Sequence, residues 1–275
     1  MKVRCSAGSA EWSAATKIEC MSGKFPESGV ALITGAGRRI GRAIALDLAG
    51  NGWAVGVHHA GSAVDARAVV AEIEAKGGRA VVLQADLADA AAVESVIPDC
   101  VRALGPPTCL INNAALFLED RIGTLDVARW DDQFAVNLRA PVFLAQSFAA
   151  ALPAGARGSI INIIDQRVWR PTPQFFSYTA AKAGLWAVTR TLAQALAPRI
   201  RVNAIGPGPA LRSVYQAQAD FDREAATTLL QRGTTPDEIA AAVRFILDAP
   251  AMTGQMIALD GGQHLAWQTA DISEA

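Results

Sequence analysis

The sequence predicts an α/β fold: one doubly wound domain whose parallel sheet is covered by helices on both faces. Three observations predict it. From about residue 29 onward, short apolar runs alternate with helical patterns, the sign of successive βαβ units. The first apolar run ends in a glycine-rich turn that leads directly into an amphipathic stretch. The chain has 275 residues, 51% of them hydrophobic, which suits one large domain with a sizeable core, and no internal linker divides it. Right-handed crossovers between parallel strands then place helices on both faces.

Residues 1–28 contain Ser, Ala, Gly and Lys without periodicity. They read as a flexible extension or a misassigned start, with Met21 as an alternative initiator, and the domain proper spans 29–275. Its first strand, Val30–Ile33, runs into Thr34-Gly35-Ala36-Gly37-Arg38-Arg39-Ile40-Gly41. Arg42–Ala49 then reads as an amphipathic helix closed by Gly50-Asn51-Gly52. A second strand, Trp53–Val57, ends in His58-His59-Ala60-Gly61-Ser62, and a third, Ala80–Gln84, precedes Asp86-Leu87. Cys109–Ile111 leads into Asn112-Asn113-Ala114-Ala115, and Arg201–Pro207 ends in a Pro-Gly turn. Thr253–Gly262 holds the last strand and its exit. Segment 209–231, with Ser213, Tyr215 and Phe221, looks only partly helical and is expected to act as a lid over substrate.

Two stretches carry chemistry. Glycines between a strand and a helix let the backbone approach a pyrophosphate at the helix N-terminus, where unpaired N–H groups and a positive dipole end collect. An ordinary βα turn would use glycines for geometry alone. Tyr178 and Lys182 are four residues apart, so on a helix they share a face. A nearby cation favours the phenolate, and the expectation is that Lys182 lowers the Tyr178 pKa. Asp165 lies thirteen residues before the phenol. Together these groups suit proton donation to a carbonyl or imine that receives a hydride. The plainer alternative is a solvated Lys beside a half-buried Tyr.

Taken in order, these motifs resemble the short-chain dehydrogenase/reductase family over about residues 29–265. Thr34, Gly35 and Gly41 match its glycine motif, with Arg39 at the usual middle glycine. Asp86-Leu87 resembles the adenine-contacting pair, and Asn112–Ala115 resembles Asn-Asn-Ala-Gly with Ala115 departing. Asn137, Tyr178-Thr-Ala-Ala-Lys182 and Pro207-Gly208 match further landmarks. The resemblance implies a single Rossmann-type domain with a seven-stranded parallel sheet in the order 3-2-1-4-5-6-7. It implies catalysis by Tyr178, Lys182 and Asn137, the last holding a relay water, with Asp165 in the place of the family's Ser. It also implies a nicotinamide dinucleotide contacting Gly35, Arg38, Arg39, Ile40, Gly41, His58, Ser62, Asp86, Leu87, Asn113, Ala114, Tyr178, Lys182, Pro207 and Gly208. Strand two ends without an acid, while Arg38 and Ser62 are available to a phosphate, so NADP(H) is expected over NAD.

The departures narrow the resemblance. Arg39 in the loop and Asp165 before Tyr178 resemble the pteridine reductase-like subfamily, and Phe117 matches the aromatic on which a pterin stacks. That implies a pterin-like substrate framed by Arg39, Phe117, Asp165 and Tyr178, with hydride going to a C=N bond. Gly61 departs from the Arg that this subfamily places before the Ser. A carbonyl or 3-oxoacyl-thioester reductase, with Asp165 a tolerated substitute, stays open, as does a non-catalytic dinucleotide-binding regulator. Family analogy also implies a homodimer or homotetramer.

Composition bounds the rest. Net charge is −1, and Arg38-Arg39 is a local pair, so no basic stripe points to nucleic acid. No apolar run approaches a membrane span, and no hydrophobic core of a signal peptide is evident. Cys5, Cys20, Cys100 and Cys109 show no paired spacing and read as free thiols, so a cytoplasmic location is expected. His58 and His59 have no third ligand nearby, so no metal is expected.

Overall fold

The computed structural model describes residues 29–213 and 216–267. The expected extension 1–28 and the lid's Tyr215 lie outside these, as do Cys5 and Cys20. Seven parallel strands form one sheet in the order β3-β2-β1-β4-β5-β6-β7. They are β1 (Val30–Ile33), β2 (Ala54–His59), β3 (Ala80–Gln84), β4 (Cys109–Asn112), β5 (Gly158–Ile163), β6 (Ile200–Pro207) and β7 (Met256–Leu259). The topology expected from the resemblance is therefore present. Strand two runs two residues further than its apolar run, because His58 and His59 pair with Leu83 and Gln84 of β3.

Alternation along the strands sorts side chains into two cores. Ala31 and Ile33 of β1, and Cys109 and Ile111 of β4, face one side; Leu32 and Leu110 between them face the other. The first core is completed by α1 (Arg39–Gly50), α2 (Ala63–Ala75) and α8 (Pro236–Asp248), the second by α3 (Ala90–Leu104), α5 (Ala140–Ala151) and α6 (Phe176–Leu196). Both faces being covered explains why the strands read as apolar runs rather than alternating ones.

Helix ends follow from local chemistry. Thr235 caps α8 through the Glu238 N–H while Glu238 reaches back to the Thr235 N–H, with Pro236 at the first helical position. Asp126 caps α4 (Val127–Phe134), which continues through a π-helical turn, Ala135–Arg139, into α5. Helix α7 (Gln218–Ala226) makes the 209–231 segment partly helical, as expected. Cys100 and Cys109 are buried free thiols, each pushed up to about 12 by burial. Among the described residues no helix is long and apolar enough to cross a membrane, and no cluster of His, Cys, Asp or Glu is suited to a metal.

Candidate active site

Beyond the C-terminal ends of the strands lies one cavity of about 1070 Å³. That volume is ample for a dinucleotide together with a small ring. Gly35, Arg38, Arg39, Ile40, Gly41, His58, Ser62, Asp86, Leu87, Asn113 and Ala114 line one end. Phe117, Asp165, Tyr178, Lys182, Pro207 and Gly208 line the other. Among the expected site residues, only Asn137 is set behind the wall.

The glycine turn is held by a lattice of backbone contacts. Thr34 Oγ1 accepts the N–H groups of Asn113 and Ala114 at 2.9 and 3.0 Å, and Asn113 Nδ2 donates to the Thr34 and Gly35 carbonyls. This joins the ends of β1 and β4. A Cβ on Gly41 would lie 2.3 Å from the Gly35 carbonyl oxygen and 2.5 Å from Asn113 Nδ2, so only glycine fits. The turn therefore offers the bare backbone cradle that a dinucleotide pyrophosphate requires.

His58 lines the cavity and also props the glycine turn. Its Nδ1 accepts the Gly35 N–H at 3.2 Å, so the proton sits on Nε2, which donates to the Ala85 carbonyl at 3.1 Å. Burial holds the ring neutral, lowering its pKa to about 4. Arg38 pairs with Asp65 at 3.5 Å, and Ser62 precedes α2 without capping it through its hydroxyl. Both face the cavity at the end of β2.

Arg39 takes the left-handed backbone of the glycine it replaces, with φ +55°. Its guanidinium forks onto the Leu211 and Arg212 carbonyls at 3.0 and 2.9 Å, tying the glycine turn to the segment 209–231.

Helix α6 places Tyr178 and Lys182 on one buried face, as their spacing requires. The Tyr178 hydroxyl donates to Asp165 Oδ2 at 3.2 Å, and Lys182 Nζ donates to the Ile163 carbonyl at 2.8 Å. The lowering expected from Lys182 is outweighed here. Burial and the Asp165 carboxylate hold the Tyr178 pKa well above its ordinary value. Burial likewise raises the Asp165 carboxyl and lowers Lys182 to about 8. Where the family's Ser would be neutral, this Asp adds a charge that favours the protonated phenol.

Asn137 is buried behind the cavity wall. Its carboxamide is taken up by Leu116, accepting that residue's N–H at 3.0 Å and donating to its carbonyl at 2.8 Å. This side chain therefore fixes the chain next to Phe117. Phe117 is not a bare platform: Phe175 stacks on it with centroids 4.1 Å apart and planes at 11°, and Tyr178 meets it edge-on at 4.7 Å.

Sequence reading missed the group that braces this end. Asp120 is buried and accepts both the Ser177 N–H, at 3.1 Å, and the Ser177 hydroxyl. Gln133 donates to Ser177 Oγ at 2.7 Å and to the Leu118 carbonyl at 3.2 Å. Leu116 and Leu118 flank Phe117, and Ser177 precedes Tyr178, so these bonds set the platform against the phenol. Phe175, also missed, has a left-handed backbone with φ +53°.

This arrangement can be compared with known proteins. Residues 35–264 match the family described as enoyl-(acyl carrier protein) reductase. The chain belongs to the short-chain dehydrogenase/reductase family. A 3-oxoacyl-[acyl-carrier-protein] reductase from Staphylococcus aureus is 36% identical over 240 residues, covering 86% of this chain and 98% of that protein. The crystal structure of an alternative dihydrofolate reductase 1 from Brucella canis, complexed with NADP, is 50% identical with a TM-score of 0.87, covering 89% of this chain and 97% of that one. A short-chain dehydrogenase from Burkholderia cenocepacia, also with NADP, is 34% identical with a TM-score of 0.80, covering 88% and 99%. The protein is an oxidoreductase of this family, and the expected choice of NADP(H) agrees with those complexes.

Proposed function

We propose that the protein is an NADPH-dependent reductase that reduces a C=N bond of a pterin-like ring, with Tyr178 as the proton donor. The observation that carries this reading is the Tyr178–Asp165 hydrogen bond, in which a buried carboxylate keeps the phenol protonated. The 50% identity to the Brucella dihydrofolate reductase supports it.

The bare backbone at Gly35 and Gly41 would take the pyrophosphate, Arg38 and Ser62 the 2′-phosphate, and Lys182 with Pro207 and Gly208 the nicotinamide end. NADPH, when bound, supplies the hydride. Tyr178 gives its proton to the substrate nitrogen, and the developing phenolate is met by Lys182, which burial has already drawn down to about 8. Asp165 orients the hydroxyl beforehand and can relay a proton from solvent to the phenolate afterwards. Phe117 bounds the ring, and the lid closes the mouth.

The test is NADPH consumption with dihydropterins and dihydrofolate, set against simple ketones and acetoacetyl thioesters. Turnover of the dihydropterins is the expected outcome. Turnover of the ketones or thioesters alone would instead favour a carbonyl or 3-oxoacyl-thioester reductase, a reading supported by the Staphylococcus relative. Asp165→Ser separates the two: a carbonyl reductase tolerates it, whereas the pterin reaction loses most of its rate.

We also infer a homodimer or homotetramer. The half-exposed Phe143 on α5 and the alanine-rich α6 support it, and light scattering in solution checks it. Two buried free thiols fit a reducing cytoplasm.

A further inference from the structure

The charges around the cavity do not balance evenly. Each carboxylate in its wall is engaged. Glu119 pairs with Arg121 at 2.6 Å and Asp220 pairs with Arg223. Glu224 accepts from Gln216 and Gln263, Asp86 from the Ala88 N–H, and Asp165 from Tyr178 and the Arg167 N–H, with the Arg167 charge acting on Asp165 from beyond ion-pair distance. At the cofactor end, Arg38 has Asp65. At the substrate end, two guanidinium groups have only neutral acceptors. Arg167 donates to Thr172 Oγ1 at 2.7 Å and Arg170 to the Gln263 carbonyl at 3.2 Å. Neither has a carboxylate within ion-pair distance among the described residues. A guanidinium carries five N–H donors, so each keeps most of its capacity.

Their position is specific. Both follow β5 in the segment that begins with Asp165, and both line the cavity. The Arg167 guanidinium lies 5.3 Å from the Phe175 ring centroid, and Phe175 stacks on Phe117. The wall thus runs from ring platform to second ring to cation.

We propose that Arg167 and Arg170 form an anion subsite for the charged tail of a substrate whose ring lies beside Phe117 and Asp165. This rests on the pterin-type reading above and narrows it to rings whose tails carry carboxylate or phosphate oxygens. Such oxygens match the guanidinium fork and would replace neutral acceptors with charge-assisted bonds. The ring layer of Phe175 suits an aryl spacer between the reducible ring and the anion.

Three substrates test this: a dihydropterin with a neutral tail, dihydrofolate with a carboxylate tail, and dihydroneopterin phosphate. In Arg167→Gln and Arg170→Gln, kcat/KM for an anionic-tailed substrate relative to the neutral one should fall about tenfold or more, through KM. Arg167→Lys keeps the charge without the fork and should lose less. Loss confined to dihydrofolate or to the phosphate identifies the tail. Equal losses on neutral and anionic substrates would overturn the subsite. A second measurement needs no turnover: p-aminobenzoylglutamate, a tail without a reducible ring, titrated calorimetrically into the NADPH-loaded protein. Saturable binding, weakened in Arg167→Gln, is expected; no binding, or unchanged binding in the variant, overturns the proposal. If no dihydropterin is reduced at all, the functional reading fails, while the titration still decides the subsite.

Discussion

At the Gly35 end of the cavity, nearly every polar contact involves the main chain. At the Asp165 end, most contacts that shape the wall run between side chains, carried on loops and on helix α6. Thr34, Asn113 and His58 each bind backbone groups of the glycine turn or of the neighbouring strands. Tyr178, Asp165, Phe117, Phe175 and Arg167 bind or stack on one another, two of them within a stretch that includes a strained residue. Main-chain recognition suits a ligand shared across a family, since it does not depend on which side chains surround it. Side-chain recognition is where one member can differ from the next, and Asp165 for Ser is such a difference.

Substitutions at the two ends should therefore fail in different ways. Tyr178→Phe should lower kcat by about a hundredfold to ten-thousandfold, the usual worth of a general acid, while NADPH affinity by fluorescence titration stays near wild type. Full activity would sink the mechanism. Gly41→Ala is the mirror case: its methyl group meets the Gly35 carbonyl and Asn113, so NADPH affinity should drop about tenfold or more and stability should fall by roughly 1–3 kcal/mol. Asp165→Asn removes the charge that holds the phenol protonated. The alkaline limb of the kcat/KM profile should then move to lower pH, with a loss of about tenfold at neutrality. An unmoved limb would show that Asp165 does not set the phenol.

A different effect concerns stability. His58 is neutral in the fold, with its pKa near 4 against the ordinary 6.5, so the unfolded chain binds the extra proton between those values. Stability should fall as pH drops from about 6.5 towards about 4, by up to roughly 3 kcal/mol. His58→Gln should flatten that part of the dependence in urea midpoints measured at about pH 7 and about pH 5.

Much of the cofactor end was legible because it is local. A strand, a glycine turn and a helix are contiguous, and i,i+4 spacing puts Tyr178 and Lys182 on one face whatever surrounds them. The sheet order came from resemblance, since apolar runs indicate strands but not their neighbours. What spacing could not convey was burial: the same Tyr and Lys give a lowered phenol pKa in one surrounding and a raised one beside a buried Asp165. Nor does anything near Asp120 mark its partner, because Ser177 lies 57 residues away and meets it only in the folded chain. The left-handed backbone of Arg39 and Phe175 was hidden for another reason. Neither residue type signals a left-handed backbone, which tertiary contacts impose on both.

The Asp120 carboxylate at the start of α6 has a consequence for anyone re-engineering the enzyme. It is a rivet between two parts that look separable: the loop carrying Phe117 and the helix carrying Tyr178. Grafting that loop from a relative would remove the rivet along with Phe117, and Tyr178 would lose its alignment. The two are better exchanged as one module, from Ala114 through Tyr178, than as interchangeable parts.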